Sequence, residues 1–202
     1  MKKFWLAAPS VFLFLSLSSR PAQAGYGKGN HAASVSLGGV IGASELDEVR
    51  GIGPGGGVGY RYYLTDIFSL GADVSLDTFG GHYSDSDETD VDARLFSTSL
   101  VGRLDFWPRN EYATYVSLGA GSQYVERTYH EPLGDRTEKT GRAGYFLALG
   151  FEAPLLAKWM WGAELRSSDP IGVSSDTLGL KLTLSRRFGK DKTIDPAAAL
   201  EF

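Results

Sequence analysis

Apolar and polar residues alternate with a period of two from residue 58 to residue 76, in the stretch VGYRYYLTDIFSLGADVSL. A polar pair, Thr65-Asp66, interrupts the alternation, which then resumes. Two alternating runs separated by a short polar break predict an antiparallel β-hairpin. One face of this hairpin is aliphatic and aromatic, whereas the other is small, polar or charged.

The same pattern returns along the chain and predicts about eight strands. Besides the hairpin, the alternating segments are His31–Ile41, Leu95–Trp107, Tyr112–Val125, Ala143–Phe151, Trp159–Ser167 and Thr177–Phe188. Long connections are predicted at Gly42–Gly56, Thr78–Asp92, Glu126–Gly141 and Ser168–Asp176, and short turns at 65–66, 108–110 and 154–158. Every proline after the first 24 residues falls in a predicted loop, turn, strand edge or tail, where a missing backbone N–H is tolerated.

Alternation alone does not tell which face points outward, and a soluble barrel of the lipocalin type would place the aliphatic face inside. Two features favour a barrel whose aliphatic face points outward into lipid. The polar face is mostly Gly, Ser, Thr and Ala with scattered charges, which suits the narrow interior of an eight-stranded barrel. Aromatic residues gather near the short turns, where they are predicted to form a girdle at one membrane interface. These residues are Tyr62, Phe68, Phe106, Trp107, Tyr112, Trp159 and Trp161. We therefore predict an all-β fold, a closed antiparallel up-and-down transmembrane barrel with short periplasmic turns and long outer loops.

The two ends of the chain are predicted to lie outside the barrel. Lys2 and Lys3 precede a short apolar run, and Ala22-Gln23-Ala24 has the small-x-small form of a cleavage site. Residues 1–24 are therefore predicted to be a cleaved secretory signal peptide, with a retained anchor as the alternative. The barrel would then occupy residues 25–188, and residues 189–202 would be a short tail, either periplasmic or vector-derived.

Composition narrows the functional classes. Removal of residues 1–24 would take away three basic residues and no acidic one, so the formal net charge would fall from −4 to −7. An acidic chain lacks the basic footprint that nucleic acid requires, and no nucleic-acid partner is expected. The chain has no cysteine, so its stability must come from a source other than disulfides.

The segments GYRYYLTDIFSLGADVSL and GLKLTLSRRF resemble the small outer-membrane β-barrel family of the OmpA/OmpX type, including its OmpW-like branch, over about residues 30–188. The resemblance implies a place in the outer membrane of a Gram-negative bacterium. It also implies contact with outer-membrane lipid and lipopolysaccharide, and with the barrel-insertion machinery during biogenesis. The family's insertion signal is a last strand of alternating apolar residues that ends in an aromatic one, which here corresponds to Leu180, Leu182, Leu184 and Phe188. That signal usually closes the chain, whereas a tail follows it here.

The predicted inner face carries charges of both signs. They are Arg61, Asp73, Asp77, Arg103, Asp105, Glu152, Glu164, Arg166, Lys181 and Arg187. Because a buried charge must be paired or wetted, we predict an ionic cluster that plugs the lumen, with a gated or narrow ion pathway as the alternative. Glu164 and Lys181 are predicted to be diagonal neighbours across the last hairpin.

Other candidate sites are weaker. His82-Tyr83-Ser84 and His130-Glu131 lie in predicted flexible loops, whereas a catalytic trio needs a rigid scaffold, so no catalytic residue is predicted. The sequence GIGPGG at 51–56 matches a nucleotide-binding pattern by letter, but it lacks the flanking strand and helix and is predicted to be a loop. Asp85, Asp87, Glu88, Asp90 and Asp92 are hard ligands whose spacing fails the EF-hand pattern, so a solvated loop is expected, with weak divalent binding as the alternative.

The sequence therefore predicts a non-enzymatic membrane scaffold, without a cofactor, that displays outer loops to an unidentified ligand. The alternative is a narrow transport barrel, either porin-like or of the OmpW-like kind that passes hydrophobic solutes into lipid. A lipid A-modifying enzyme is a distant third. Fold alone does not choose between these functions.

Overall fold

The computed structural model describes residues 27–43, 52–82, 90–106, 112–131, 133–156, 158–170 and 176–189. They form eight β-strands, which are β1 (His31–Ala43), β2 (Ile52–Tyr63), β3 (Phe68–His82), β4 (Asp90–Phe106), β5 (Ala113–Glu131), β6 (Gly134–Leu156), β7 (Trp159–Pro170) and β8 (Asp176–Phe188). No helix in these ranges is long and apolar enough to cross a membrane. The predicted signal peptide, most of the predicted tail, Trp107, the 108–110 turn, Tyr83, Ser84, Asp85, Asp87 and Glu88 lie outside the described residues.

The eight strands close into a single antiparallel barrel in sequence order. Each strand pairs with the next one, and β8 pairs with β1 through a register that runs from His31↔Phe188 to Ala43↔Asp176. Closure leaves no unpaired strand edge at the height of these pairs, as a β structure in hydrocarbon requires. The predicted fold class, an all-β up-and-down barrel of about eight strands, is confirmed.

The apolar face of the sheet points outward. Leu37, Leu100 and Leu182 are 65 to 76% exposed, whereas many side chains on the other face are buried even when they are charged. On β4 the two classes alternate residue by residue for almost the whole strand. This arrangement inverts that of a soluble barrel, since apolar surface of this extent needs lipid around it.

The predicted third long connection, Glu126–Gly141, is wrong. Instead, β5 continues to Glu131 and β6 begins at Gly134, so the two strands form one long hairpin. Opposite charges face each other across it, with Glu126 opposite Lys139 and Arg127 opposite Glu138. Such pairs stabilise an antiparallel ladder without apolar residues. The predicted connection Thr78–Asp92 is also shorter than expected, because β3 runs to His82 and β4 begins at Asp90.

The glycine-rich segment before the first hairpin is also part of the sheet rather than the predicted loop. β2 begins at Ile52, and a Cβ on Gly53 would lie 1.8 Å from the Thr78 carbonyl oxygen. Glycine therefore permits the close approach of β2 to β3. Pro54 pairs with Gly39 of β1 but lies one residue beyond the last β2–β3 pair, which is Gly55↔Asp77.

The short turn predicted at 154–158 begins later than expected. β6 continues to Leu156, and Pro154 lies within the strand, at a register shift against β7. A bulge of this kind accommodates a residue that has no backbone N–H.

Candidate functional site

The end of the barrel near the short turns, here called the turn end, contains a network of buried charges that we call the lower tier. Arg103 of β4 donates from Nη1 and Nη2 to the two carboxylate oxygens of Glu152 on β6, at 3.0 and 2.9 Å. It also donates from Nε to Asp105 Oδ1 at 2.8 Å. Arg61 of β2 donates to Glu152 Oε1 at 3.0 Å, and the Tyr115 ring lies 3.5 Å from the Arg103 guanidinium carbon. Four strands are thus tied together across the interior.

A second network, the middle tier, lies further from the turns. Arg166 of β7 donates from Nε to Glu164 Oε1 at 2.8 Å and from Nη1 to Asp73 Oδ1 of β3 at 2.7 Å. Tyr115 donates its hydroxyl to Glu164 Oε2 at 3.0 Å. The Phe146 ring lies 4.1 Å from the Arg166 guanidinium carbon, on the face of the ring. Charge-assisted bonds of this kind hold the guanidinium in one position.

The upper tier is a single ion pair, in which Lys181 Nζ lies 2.6 Å from Asp77 Oδ1 and both side chains are at most 4% exposed. Glu164 and Lys181 are directly opposite in the β7–β8 register rather than diagonal. They do not pair with each other, however. Lys181 reaches across the barrel to β3, and Glu164 binds Arg166 and Tyr115 instead.

The charges inside the barrel are balanced, since acidic and basic side chains occur in equal number. They are Asp73, Asp77, Asp105, Glu152 and Glu164 against Arg61, Arg103, Arg166, Lys181 and Arg187. Arg187 lies outside the three tiers, nearest the turn end, where its Nη2 donates to the sulfur of Met160 at 2.8 Å. Balance matters because a buried charge that loses its partner is strongly destabilising.

Between the lower and middle tiers lies a cavity of about 40 Å³. Charged side chains of both tiers line it, together with Ser34, Ser117 and Thr183. This volume suffices for a few water molecules but not for a solute. Towards the outer end, Phe79, Ala93, Leu95 and Val125 form a buried apolar cluster, which we call the apolar cap.

Two parts of this interior differ from the sequence prediction. The predicted loop Thr78–Asp92 includes Phe79, which shares the inward parity of Asp77 and forms part of the apolar cap. Tyr115 is absent from the predicted inner face, although it precedes the inward Ser117 by two positions and contacts both charged tiers. Counting in steps of two through the strand ends would have found both residues.

The described residues of the predicted girdle lie near the turn end. Tyr62, Phe106 and Tyr112 are 40, 40 and 56% exposed, and Phe68, Trp159 and Trp161 are partly exposed. Trp161 packs edge-on against Phe151, with ring centroids 5.4 Å apart. The residues of the predicted insertion signal, Leu180, Leu182, Leu184 and Phe188, are all exposed on the outward face of β8.

The two described histidine side chains have partners of different kinds. His31 contacts the Tyr60 hydroxyl at the turn end. His130, beyond the membrane-spanning part of β5, lies 3.0 Å from Asp135 Oδ1 through Nδ1 and 3.3 Å from Asp92 Oδ2 through Nε2. Hydrogen bonds to Asp135 and then to Asp92 raise the pKa of His130 above 6.5. In the described residues, no group of three or more His, Asp or Glu side chains is arranged to hold a metal ion, and of the weak metal candidates only Asp90 and Asp92 are described.

A closed sheet with an apolar outer face, an aromatic girdle and a polar interior defines an integral β-barrel of the outer-membrane type. The family described as "Outer membrane protein beta-barrel domain" matches residues 10–188, and the chain belongs to this family. The predicted family resemblance is thereby confirmed, and the family indicates the bacterial outer membrane as the location.

Solved structures with the same fold are distant in sequence. Ail, the attachment invasion locus protein of Yersinia pestis, is 14% identical with a TM-score of 0.56, over 80% of this chain and 99% of Ail. Neisserial surface protein A is 13% identical with a TM-score of 0.56, over 80% and 100%. The outer membrane protein OprG of Pseudomonas aeruginosa is 11% identical with a TM-score of 0.55, over 83% and 99%. Among curated protein sequences, none is significantly similar to this one.

Proposed function

We propose that this protein is a non-enzymatic outer-membrane scaffold whose lumen is plugged and whose outer end is the functional surface. The observation that carries the proposal is the sequence of layers inside the barrel: two networks and one pair of buried ions, then an apolar cap. A solute would have to break several charge-assisted bonds to pass. The cavity between the lower and middle tiers has a volume of only about 40 Å³, which favours a plug over a transport path.

The outer end supports the surface role. β4, β5 and β6 continue beyond the apolar band, where their outward residues become charged and polar, including Arg94, Glu126 and Lys139. Within the described residues, 134–143 of β6 pair only with β5, because the described pairing of β6 with β7 begins at Gly144. An unpaired strand edge offers backbone donors and acceptors to a partner chain. A structure of Ail in complex with the heparin analogue sucrose octasulfate is consistent with ligand binding by a barrel of this fold.

The histidine contacts support the absence of catalysis. His130 contacts two carboxylates and His31 contacts a tyrosine, so neither is arranged with a serine or threonine nucleophile among the described residues. A nucleophile, a base and an orienting acid within hydrogen-bond reach are the minimum for acyl-transfer chemistry.

A vesicle-swelling experiment tests the plugged lumen against transport. Proteoliposomes that contain the refolded chain are diluted into an isotonic solution of arabinose, and the rate of swelling is followed by light scattering. We expect wild-type vesicles to swell no faster than protein-free vesicles. A variant with Arg103→Ala and Arg166→Ala lacks the central cation of two tiers. Its rate of swelling shows how vesicles behave when the interior of the barrel is opened. Rapid swelling of wild-type vesicles would instead establish the transport barrel.

A further inference from the structure

One basic side chain interrupts the apolar outward face of the last strand. The outward positions of β8 read Leu178, Leu180, Leu182, Leu184, Arg186 and Phe188. Arg186 is exposed and lies near the turn end, opposite Ala33 of β1 and Trp159 of β7. No carboxylate among the described residues forms an ion pair with it. A charge on the lipid face is tolerated only near the membrane interface, which is the height of this residue.

Aromatic rings frame the Arg186 guanidinium. Its central carbon lies 5.6 Å from the centroid of the Trp159 ring and 5.3 Å from that of the Phe188 ring. Both distances fall within the range of a cation–π contact. Contacts with two rings limit the directions that the side chain can take, so its N–H donors are partly ordered before a ligand binds.

Two further basic side chains lie around Arg186. His31 pairs with Phe188 in the β1–β8 register, so it is a diagonal neighbour of Arg186 on the outward face. Its Nδ1 contacts the Tyr60 hydroxyl, which leaves Nε2 available for another partner. Lys158 is exposed in the turn next to Trp159, and its carbonyl accepts a hydrogen bond from the Arg187 N–H at 2.8 Å.

The opposite side of the barrel differs at the same height. Among the described residues there, the outward ones near the turns include Phe68, Leu104, Phe106, Thr114 and Phe151, and none of these is basic. Asp66, a described acid at this end of the barrel, lies in the turn between β2 and β3 and accepts the Lys28 backbone N–H at 3.1 Å. The described part of this interface is therefore cationic in one sector only.

We propose that His31, Lys158 and Arg186 bind the phosphate of an anionic phospholipid in the periplasmic leaflet. A guanidinium offers two parallel donors to phosphate oxygens, and the lysine and histidine add donors on either side. The group includes no described carboxylate that would accept a lipid ammonium, so it favours a lipid with net negative charge over a zwitterionic one. Trp159 and Phe188 contact the glycerol and upper acyl region, as interfacial rings do. This inference does not depend on the plugged lumen.

Quenching of tryptophan fluorescence by brominated lipid tests the site, because Trp159 lies within it. The full chain is refolded into phosphatidylcholine vesicles with a minor fraction of either brominated phosphatidylglycerol or brominated phosphatidylcholine. The ratio of the two quenching efficiencies gives the preference for the anionic lipid, and it cancels any intrinsic effect of a variant on the fluorescence. Heat-modifiable migration on a gel establishes that each variant is folded.

We expect the wild type to prefer phosphatidylglycerol and Arg186→Gln to lose about fivefold in relative affinity, the effect of one charge near a membrane surface. Arg186→Lys should keep part of the preference. Lys139→Gln is the matched control, since it removes the same charge at the outer end and should leave the ratio unchanged. Equal quenching by both lipids in the wild type, or an unchanged ratio in folded Arg186→Gln, would overturn the site and leave Arg186 as a simple interfacial anchor.

Discussion

Gly119 gives the interior of the barrel a feature that no larger residue could provide. A Cβ at this position would lie 2.1 Å from a carbon of the Phe146 ring, so the ring occupies the space of the missing side chain. The Arg166 guanidinium carbon lies 4.1 Å from the centroid of the same ring. The absence of a side chain at Gly119 therefore leaves room for the aromatic ring that contacts Arg166, the central cation of the middle tier.

We expect Gly119→Ala to destabilise the barrel by about 1–3 kcal/mol, the usual effect of overpacking a filled interior. Gly102→Ala is the matched control on the outward face of β4. The atoms nearest to its new methyl group would be in the Leu70 and Phe68 side chains, at 3.8 Å, so the change should affect stability little. Urea unfolding of both variants in lipid vesicles, followed by tryptophan fluorescence, measures the difference. Equal losses of unfolding free energy in the two variants would mean that the space for Phe146 next to Gly119 has no special role in stability.

At the residue scale, the sequence predicts which side chains point into the lumen but not which residues they form ion pairs with. A period of two assigns Asp73, Glu164 and Lys181 to the inner face without any structure. Their partners depend on the distance across the barrel and on side-chain reach. Lys181 thus bonds Asp77 on β3 rather than Glu164 in the adjacent strand, and Arg166 bonds Asp73 from the opposite wall. No local pattern encodes a contact between residues that are about a hundred positions apart.

Among the elements, the β5–β6 hairpin departs most from the sequence prediction. Its outer half alternates polar and charged residues on both faces because water surrounds it, so the apolar signal of a strand is absent. Cross-strand charge pairs, rather than apolar contacts, stabilise this part of the hairpin. Gly134, with φ of 133°, begins β6 after the turn in a conformation that favours glycine.

The hairpin should respond to pH through His130. The pKa of His130 is raised above 6.5 because Asp135 of β6, and then Asp92 of β4, bond its ring. A raised folded-state pKa means that the charged ring stabilises the hairpin fully below pH 6.5. This contribution is lost as the pH rises through the folded-state pKa.

We expect an NMR titration of the His130 ring to give a pKa above 6.5, and amide protection in the hairpin tip to fall as the pH rises through that value. Asp135→Asn should lower the pKa of His130 and weaken the pH dependence, while leaving the membrane-spanning part of the barrel unaffected. A His130 pKa at or below 6.5, or one that Asp135→Asn does not change, would contradict this account of the hairpin.

At the scale of the whole molecule, the barrel fold and the side chains that fill its interior follow from the same alternation of apolar and polar residues. Outward residues give a continuous apolar band for lipid, and inward residues give charges that must find partners in a space too narrow for bulk water. The barrel closes because β8 returns to β1, and the three tiers connect walls that have no contact through the backbone ladder. The class of protein was readable from the sequence for this reason, whereas the order of the tiers required the three-dimensional register.

Single-channel recording in planar bilayers tests the plugged lumen most directly. We expect the refolded wild type to remain silent, and Arg103→Ala combined with Arg166→Ala to show discrete openings, because two ionic layers then lose their central cation. Leu165→Ala, a lipid-facing change next to Arg166, is the control and should remain silent. Heat-modifiable migration must show each protein folded before recording. Sustained wild-type conductance equal to that of the double variant would contradict the account and make the barrel an open pore.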